Sequence, residues 1–325
     1  MRQDASPLVY GDVMTSRKRV LLHLGGDVAA RVSAAVPEVD VVVVSTKDTV
    51  PADVRGEALL TLPWGTHNLP GVLARGVRWV HVLGTGVDRF PLAALGDRVL
   101  TCSRGGSAVP IAEWVLATIL AFEKHLPAMW IHEPVARPMP DALGTLAGKT
   151  LGLVGLGGIG LAVARRALAF DMHVRASRRT AAPSPIPGVA MAGSLRELVA
   201  DADHVVLAAP ATPDTRHFVD GEVLAAMKRG VHLVNIARGA LVDQDALRAA
   251  LDDGRVALAS LDAVDPEPLP AGHWMYTHPR VRLSPHVSWS APSALDELVD
   301  RFIDNLRRWR DGQPLAGIVD PHAGY

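Results

Sequence analysis

A single cysteine, Cys102, occurs in 325 residues, so the chain cannot close a disulfide within itself. That suits a reducing compartment. Neither sign of charge is in excess: 33 Lys and Arg stand against 34 Asp and Glu. The balance argues against nucleic acid or an anionic membrane surface as the main partner. Long apolar runs are missing too. The most apolar helix candidate, Ile111 to Phe122, carries Glu113 and runs into Glu123-Lys124. It is too short and too charged to span a bilayer and reads as a buried helix. Met1 to Ser6 are polar and form no apolar secretory segment, so a cytoplasmic location is expected. His273, His278 and His286 are not at metal-ligand spacings, and neither H-E-x-x-H nor C-x-x-C occurs; no metal site is expected. Tandem repeats, charge blocks and low-complexity tracts are also lacking.

What is present is concentrated in residues 151–160, Leu-Gly-Leu-Val-Gly-Leu-Gly-Gly-Ile-Gly. Leu151 to Val154 form a strand-like run, and Leu161 to Leu168 continue as a good helix former. Between them Gly155, Gly157 and Gly160 supply the G-x-G-x-x-G spacing. The first glycine makes a tight turn, the second lets backbone approach a pyrophosphate, and the third lets helix and strand pack closely. Gly158 and Ile159 open the helix, whose free N–H groups would receive the anion. A second strand at Met172–Ser177 completes the context that makes this a dinucleotide-binding motif and not a simple glycine-rich turn.

Strands and helices alternate along the whole chain, the pattern of parallel α/β sheets. In the first third, strands are predicted at Arg19–Leu24, Val39–Ser45, Ala58–Leu62, Arg78–Leu83 and Arg98–Cys102, with helices such as Asp27–Ala35 and Leu69–Arg75. Ser107 is a plausible N-cap for the apolar helix beginning near Pro110. The second series has strands from Leu151, at Met172–Ser177, His204–Ala208, His232–Asn235, Ala257–Leu261 and Val281–Leu283. Residues 181–188 read as a proline-rich surface loop. The amphipathic helix Ser293 to Trp309, with nothing strand-like behind it, is expected to pack back on the first domain.

Three polar sites follow the glycine motif, each at the end of a predicted strand: Asn235 to Gly239, Asp262 to Pro268, and Pro285-His286. Ligands bind at the carboxyl ends of strands in open parallel sheets. An arginine, a carboxylate and a histidine therefore converge beside the dinucleotide motif.

With these segments the chain resembles the D-isomer-specific 2-hydroxyacid dehydrogenase family over nearly its whole length. The matching stretches are Val82-Leu-Gly-Thr-Gly-Val-Asp88, Ile111-Ala-Glu113, Gly148-Lys-Thr-Leu-Gly152 with the glycine motif, Pro210-Ala-Thr-Pro-Asp-Thr215, Met227-Lys228, Val234 to Gly239, Leu261-Asp262, Glu267-Pro-Leu-Pro270 and Ser284-Pro-His286. The resemblance implies two doubly wound parallel-sheet domains. A Rossmann-type cofactor domain (residues 111–290) would be inserted into a flavodoxin-like substrate domain (residues 1–110 and 291–325). It also implies a homodimer joined through the cofactor domains.

Carried over residue by residue, the resemblance makes Arg238 the anchor of a substrate carboxylate and keto oxygen, a role its planar fork suits. His286 would be the general acid that protonates the ketone oxygen as hydride arrives, and Glu267 would hold its imidazole. Backbone N–H groups at Thr85 and Gly86 would hold the carboxylate from the other domain. Asp262 and the backbone around Ile236 would orient the nicotinamide carboxamide. Pro210 and Thr215 would line the cofactor groove, with His286 and Ser288 at its nicotinamide end. Where NAD-binding members carry an acid, this chain has Ser177-Arg178-Arg179, so NADP(H) is expected to be preferred, with NAD(H) possible. Trp289 stands where many members have small residues and could narrow the pocket. The expected reaction is reduction of a small 2-oxoacid, glyoxylate or hydroxypyruvate, to a D-2-hydroxyacid. The rival from another class is a dinucleotide-sensing, co-repressor-like binding protein on the same fold. Formate-type oxidation is disfavoured, because its pattern has glutamine at the position of Glu267.

Overall fold

The computed structural model describes residues 17–134, 142–180, 182–321 and 323–325. Met1 to Ser6, read above for a signal, and Ala181, at the head of the proline-rich loop, lie outside the described residues.

The first five strands are β1 (Arg19–Leu22), β2 (Asp40–Val43), β3 (Ala58–Thr61), β4 (Trp79–Val82) and β5 (Val99–Cys102). They form one parallel sheet in the order β2-β1-β3-β4-β5. Every residue of β3 and β4 is buried. Such unbroken apolar strands are what a parallel sheet covered on both faces requires. Alternate residues go to opposite faces: Leu21, Leu59, Val80 and Leu100 join one core, Val20, Leu22, Ala58 and Trp79 the other. α1 (Asp27–Ala35) and α2 (Leu69–Leu73) connect the strands of this sheet.

A long helix, α3 (Ala108–Glu123), leads into the second sheet. It begins two residues before Pro110 and has Ser107 in the N-cap position, but the hydroxyl makes no capping bond. Ser107 has φ −110° and ψ 19°, away from the extended backbone that aims a capping side chain at the first turn. Its N-terminal and central residues Ile111, Ala112, Val115, Leu116 and Ile119 are buried in the core of the second domain.

The second sheet contains β6 (Thr150–Val154), β7 (His173–Ser177), β8 (Val189–Met191), β9 (His204–Leu207), β10 (Val231–Asn235), β11 (Val256–Leu261) and β12 (Val281–Leu283). All are parallel, in the order β12-β11-β10-β9-β6-β7-β8. Strand order reverses at β6, which pairs with β7 on one side and β9 on the other. That reversal opens a crevice beyond the carboxyl ends of β6 and β9. Helices α4 (Gly158–Ala169), α5 (Leu195–Ala200), α6 (Gly221–Ala226) and α7 (Gln244–Asp252) cover the faces. β8 was not anticipated: three residues at a sheet edge behind a proline-rich loop carry too little alternation to be read.

The last helix, α8 (Ala294–Arg310), returns to the first sheet. Leu298, Val299, Phe302, Ile303 and Leu306 form its apolar stripe and share a core with Val20, Leu22 and Trp79. The Phe302 ring stacks on Trp79 at 5.4 Å. Among the described residues, no helix is long and apolar enough to cross a membrane.

Candidate active site

The glycine turn between β6 and α4 is built by close contact. Gly155 has φ +103°, and a Cβ there would fall 2.6 Å from the Ala208 carbonyl oxygen. A Cβ at Gly160 would fall 2.2 Å from the Gly155 oxygen, so any side chain would push helix and strand apart. Gly157 differs: a Cβ there meets nothing within 4 Å, and no side chain caps α4. The N–H groups at the start of this helix, with Gly158 and Ile159 in its first turn, are left without a side-chain cap, an end where an anion is favoured; a Cβ at Gly158 would meet Gly105 at 3.1 Å. Gly155 N–H also donates to the Ser177 carbonyl (2.9 Å), which brings the end of β7 beside the turn. Arg178, just beyond, donates from Nε to the Thr180 carbonyl (3.2 Å). These residues fit a dinucleotide: a bare helix start for the pyrophosphate, and two arginines where the adenosine ribose would lie.

The opposite wall follows β9. Thr215 donates its hydroxyl to the Pro210 carbonyl (2.8 Å) and accepts from the Thr212 N–H (2.8 Å). The hydroxyl thus braces its own loop, which leaves the carboxyl end of β9 beside the strand-order reversal. Ile236, just past the end of β10, is buried in the core that includes residues of α3 and α4.

Beyond the carboxyl ends of β10, β11 and β12, Arg238, Glu267 and His286 are connected. His286 Nδ1 lies 2.7 Å from Glu267 Oε1. A carboxylate can only accept, so Nδ1 carries the proton, and in the neutral ring Nε2 is left as the free acceptor. His286 sits at φ +53°, a left-handed conformation uncommon outside glycine. Asp262 holds the loop that carries it. Expected to orient a cofactor amide, its carboxylate is 1% exposed and accepts from the Ser284 hydroxyl (2.5 Å) and the Val287 (2.8 Å) and Ser288 (3.0 Å) N–H groups. Trp289 Nε1 donates to the His286 carbonyl (3.0 Å), which fixes the indole beside the histidine.

Two residues of the first domain, given no role from the sequence, complete the cluster. Asp88 takes a two-pronged contact from Arg238, Nε to Oδ2 at 2.9 Å and Nη2 to Oδ1 at 2.8 Å. Its neighbour Arg89 donates to Glu267 Oε2 (3.2 Å). Burial opposes the charge on Asp88, but the hydrogen bonds and positive charge of Arg238 prevail and hold its carboxyl below the usual range. Adjacent residues of opposite sign thus cross the cleft to an arginine and a glutamate of the second domain. Their one sequence signal is position: they lie just past the Gly84-Thr85-Gly86 turn, after Val87. That turn presses on Arg238, since a Cβ at Gly86 would lie 2.1 Å from Nη2. Thr85 accepts a weak bond from the Cys102 thiol (3.4 Å) through its carbonyl. The structure therefore brings Thr85, Gly86, Arg238, Glu267 and His286 to one cleft, with the glycine turn on its other side.

A dinucleotide crevice at a strand-order reversal, facing a paired imidazole and carboxylate, defines an NAD(P)-dependent oxidoreductase. Residues 118–288 match the family model described as D-isomer specific 2-hydroxyacid dehydrogenase, NAD binding domain. Glyoxylate/hydroxypyruvate reductase A of Serratia proteamaculans is 30% identical over 260 residues, 77% of this chain and 82% of the relative. Glycerate dehydrogenase of Methylorubrum extorquens is 36% identical over 171 residues, 52% of each chain. Among solved structures, a D-isomer specific 2-hydroxyacid dehydrogenase from Xanthobacter autotrophicus Py2, in complex with NADPH and MES, superposes with a TM-score of 0.80 at 30% identity, covering 95% of this chain and 100% of that one. The chain belongs to the D-isomer specific 2-hydroxyacid dehydrogenase family.

Proposed function

We propose that the enzyme reduces a small 2-oxoacid of glyoxylate or hydroxypyruvate size to the D-2-hydroxyacid, with NADPH preferred over NADH. The observation that carries this reading is the His286–Glu267 pair opening onto the same cleft as Arg238 and the Gly84–Gly86 turn. NAD(P)H, when bound, supplies the hydride. His286 delivers a proton from Nε2 to the substrate's carbonyl oxygen. Glu267 keeps Nδ1 protonated and steadies the imidazolium that this exchange requires.

Arg238 has five N–H groups, of which two are given to Asp88 and one to the Ala237 carbonyl. The remaining two, one on Nη1 and one on Nη2, address the substrate carboxylate. Asp88 positions that fork, and the backbone N–H groups of Thr85 and Gly86 receive the carboxylate from the first domain. Trp289, tied to His286, limits the length of the substrate beyond C2. Arg178 and Arg179 favour a 2′-phosphate over the bare ribose. We assign residues 1–110 with 291–325 to the substrate domain and 111–290 to the cofactor domain, and we expect a cytoplasmic homodimer joined through the latter. The names of the relatives support the substrate size, and the NADPH complex of the Xanthobacter structure supports the cofactor.

The test is a screen of small 2-oxoacids with NADPH and NADH in parallel, with the chirality of the product determined. Rapid oxidation of NADPH with glyoxylate or hydroxypyruvate is expected, and a D product from hydroxypyruvate. Turnover only with bulky 2-oxoacids, or an L product, would overturn the reading.

A further inference from the structure

Beyond α8 the chain does not trail away from the molecule. Asn305, 2% exposed on that helix, pins Ala316 by two bonds, Oδ1 accepting from its N–H (2.7 Å) and Nδ2 donating to its carbonyl (2.8 Å). Cys102 N–H donates to the Gly317 carbonyl (3.2 Å), Val319 N–H donates to the Leu100 carbonyl (2.9 Å), and Ile318 bridges Thr101 in antiparallel fashion. This segment thus extends the β5 edge of the first sheet. Val319 is buried in that domain's core. A closed turn follows, with Gly324 N–H donating to the Asp320 carbonyl (2.9 Å) and Asp320 N–H to the Tyr325 carbonyl (3.1 Å).

From this anchored turn Tyr325 reaches the other domain. The Arg179 guanidinium lies over its ring, 4.7 Å from the centroid. Arg179 is two residues past the end of β7, beside the glycine turn. Among the described residues, Arg179 has no hydrogen-bond or carboxylate partner. Its neighbour Arg178 is less free, since Nε is bonded to Thr180. Arg179 is therefore a cation held by its face, with the N–H groups on its rim unused. A free arginine side chain loses rotamer entropy when it binds an anion, and a ring stacked on the guanidinium removes part of that loss beforehand.

We infer that Tyr325 is a specificity-determining residue of the cofactor site: by stacking on Arg179 it presents that guanidinium to the 2′-phosphate of NADPH. The discrimination between the two cofactors would then depend on a segment anchored to the substrate domain. This rests on the proposed preference for NADPH, and the two are tested apart. The probes are adenosine 2′,5′-bisphosphate and 5′-AMP, titrated by calorimetry against wild type, Tyr325→Ala and Tyr325→Phe, with NADPH and NADH binding followed by fluorescence. Wild type should bind the bisphosphate more tightly than AMP. Tyr325→Ala should weaken the bisphosphate and NADPH about two- to fivefold, the range of an exposed cation–π contact, and leave AMP and NADH unchanged. Tyr325→Phe, which keeps the ring, should match wild type. If wild type binds both fragments alike, the NADPH reading fails and this inference with it. A wild-type preference that survives intact in Tyr325→Ala overturns the inference alone, as does equal weakening of bisphosphate and AMP, which would make Tyr325 a general nucleotide wall.

Discussion

The second domain holds two histidine–glutamate associations at opposite ends of one sheet. At the amino end, His204 opens β9 and His232 lies near the start of β10, both fully buried. His204 Nε2 lies 3.1 Å from Glu123 Oε1, within ion-pair distance but off the line of a hydrogen bond. Glu123 takes its direct bond from Lys149 (2.7 Å). The two imidazoles meet at 3.3 Å through Nδ1, and His232 Nε2 reaches the Ser260 hydroxyl at 2.9 Å. At the carboxyl end, the His286 side chain keeps 31% of its exposure and that of Glu267 keeps 21%. Burial drives the His204 imidazole down to about 4 and pulls His232 well below its usual value. The same two residue types therefore make a sealed structural fixture, its imidazoles neutral, at one end and a pair open to water at the other. What separates them is where the strand ends lie: the carboxyl ends open into the crevice, the amino ends are roofed by Phe122, whose ring stacks on His232 at 4.7 Å.

Turnover should divide the two pairs most sharply. His286→Ala is expected to lose about 10²–10⁴-fold in kcat with cofactor binding preserved, the usual effect of removing a general acid. His204→Gln, assayed beside it, should keep turnover within a few-fold. Near-normal turnover in His286→Ala would remove the distinction.

Acid should expose the buried pair next. Below about pH 6.5 the unfolded chain takes up protons that buried His204 refuses until pH falls to about 4. Stability is thus complete above the unfolded value and declines through this window, by about 1.4 kcal/mol per pH unit for each such imidazole. His23 and His81, pushed by burial to about 4 and about 3, add to the same slope. Urea midpoints measured between pH 7 and 5 should fall, and fall less steeply in His204→Gln. An unchanged slope in that variant would show that His204 does not stay neutral.

A third comparison concerns the fork of Arg238. Arg238→Lys keeps the charge but not the planar pair of donors, so kcat/KM should fall by about 1.5–3 kcal/mol in transition-state binding. A lysine variant as active as wild type would rule out the two-pronged role. Smallest of all, Asp88→Asn leaves the fork in place with a weaker partner and should cost about 0.5–1.5 kcal/mol, seen chiefly in KM for the oxoacid. If it lowered kcat alone, Asp88 would not act through carboxylate binding.

Much of this site could be read along the chain because its determinants are local. The glycine turn needs a strand, three glycines at fixed spacing and a helix, all within twenty residues. Arg238, Glu267 and His286 each follow a strand, and parallel strands deliver their ends to one edge. The contacts of Asp88 and Arg89 cannot be read the same way: their partners lie 150 and 178 residues away, and proximity to the Gly84–Gly86 turn does not say which charges they meet. Asp262 was placed in the right neighbourhood, but whether its oxygens faced the cleft or the 284–288 loop depended on backbone N–H groups whose direction no pattern encodes.

The sequence by itself determined the alternation of strands and helices, the dinucleotide turn and the identity of the residues at the strand ends, since propensity, apolar runs and glycine sterics act over a few neighbours. Only the tertiary structure decided which charges meet across the cleft, which histidines are sealed from water, and that Tyr325 lies on Arg179. Those outcomes depend on how two separately folded sheets are set against each other, and the distances between their side chains come from packing, not from adjacency along the chain.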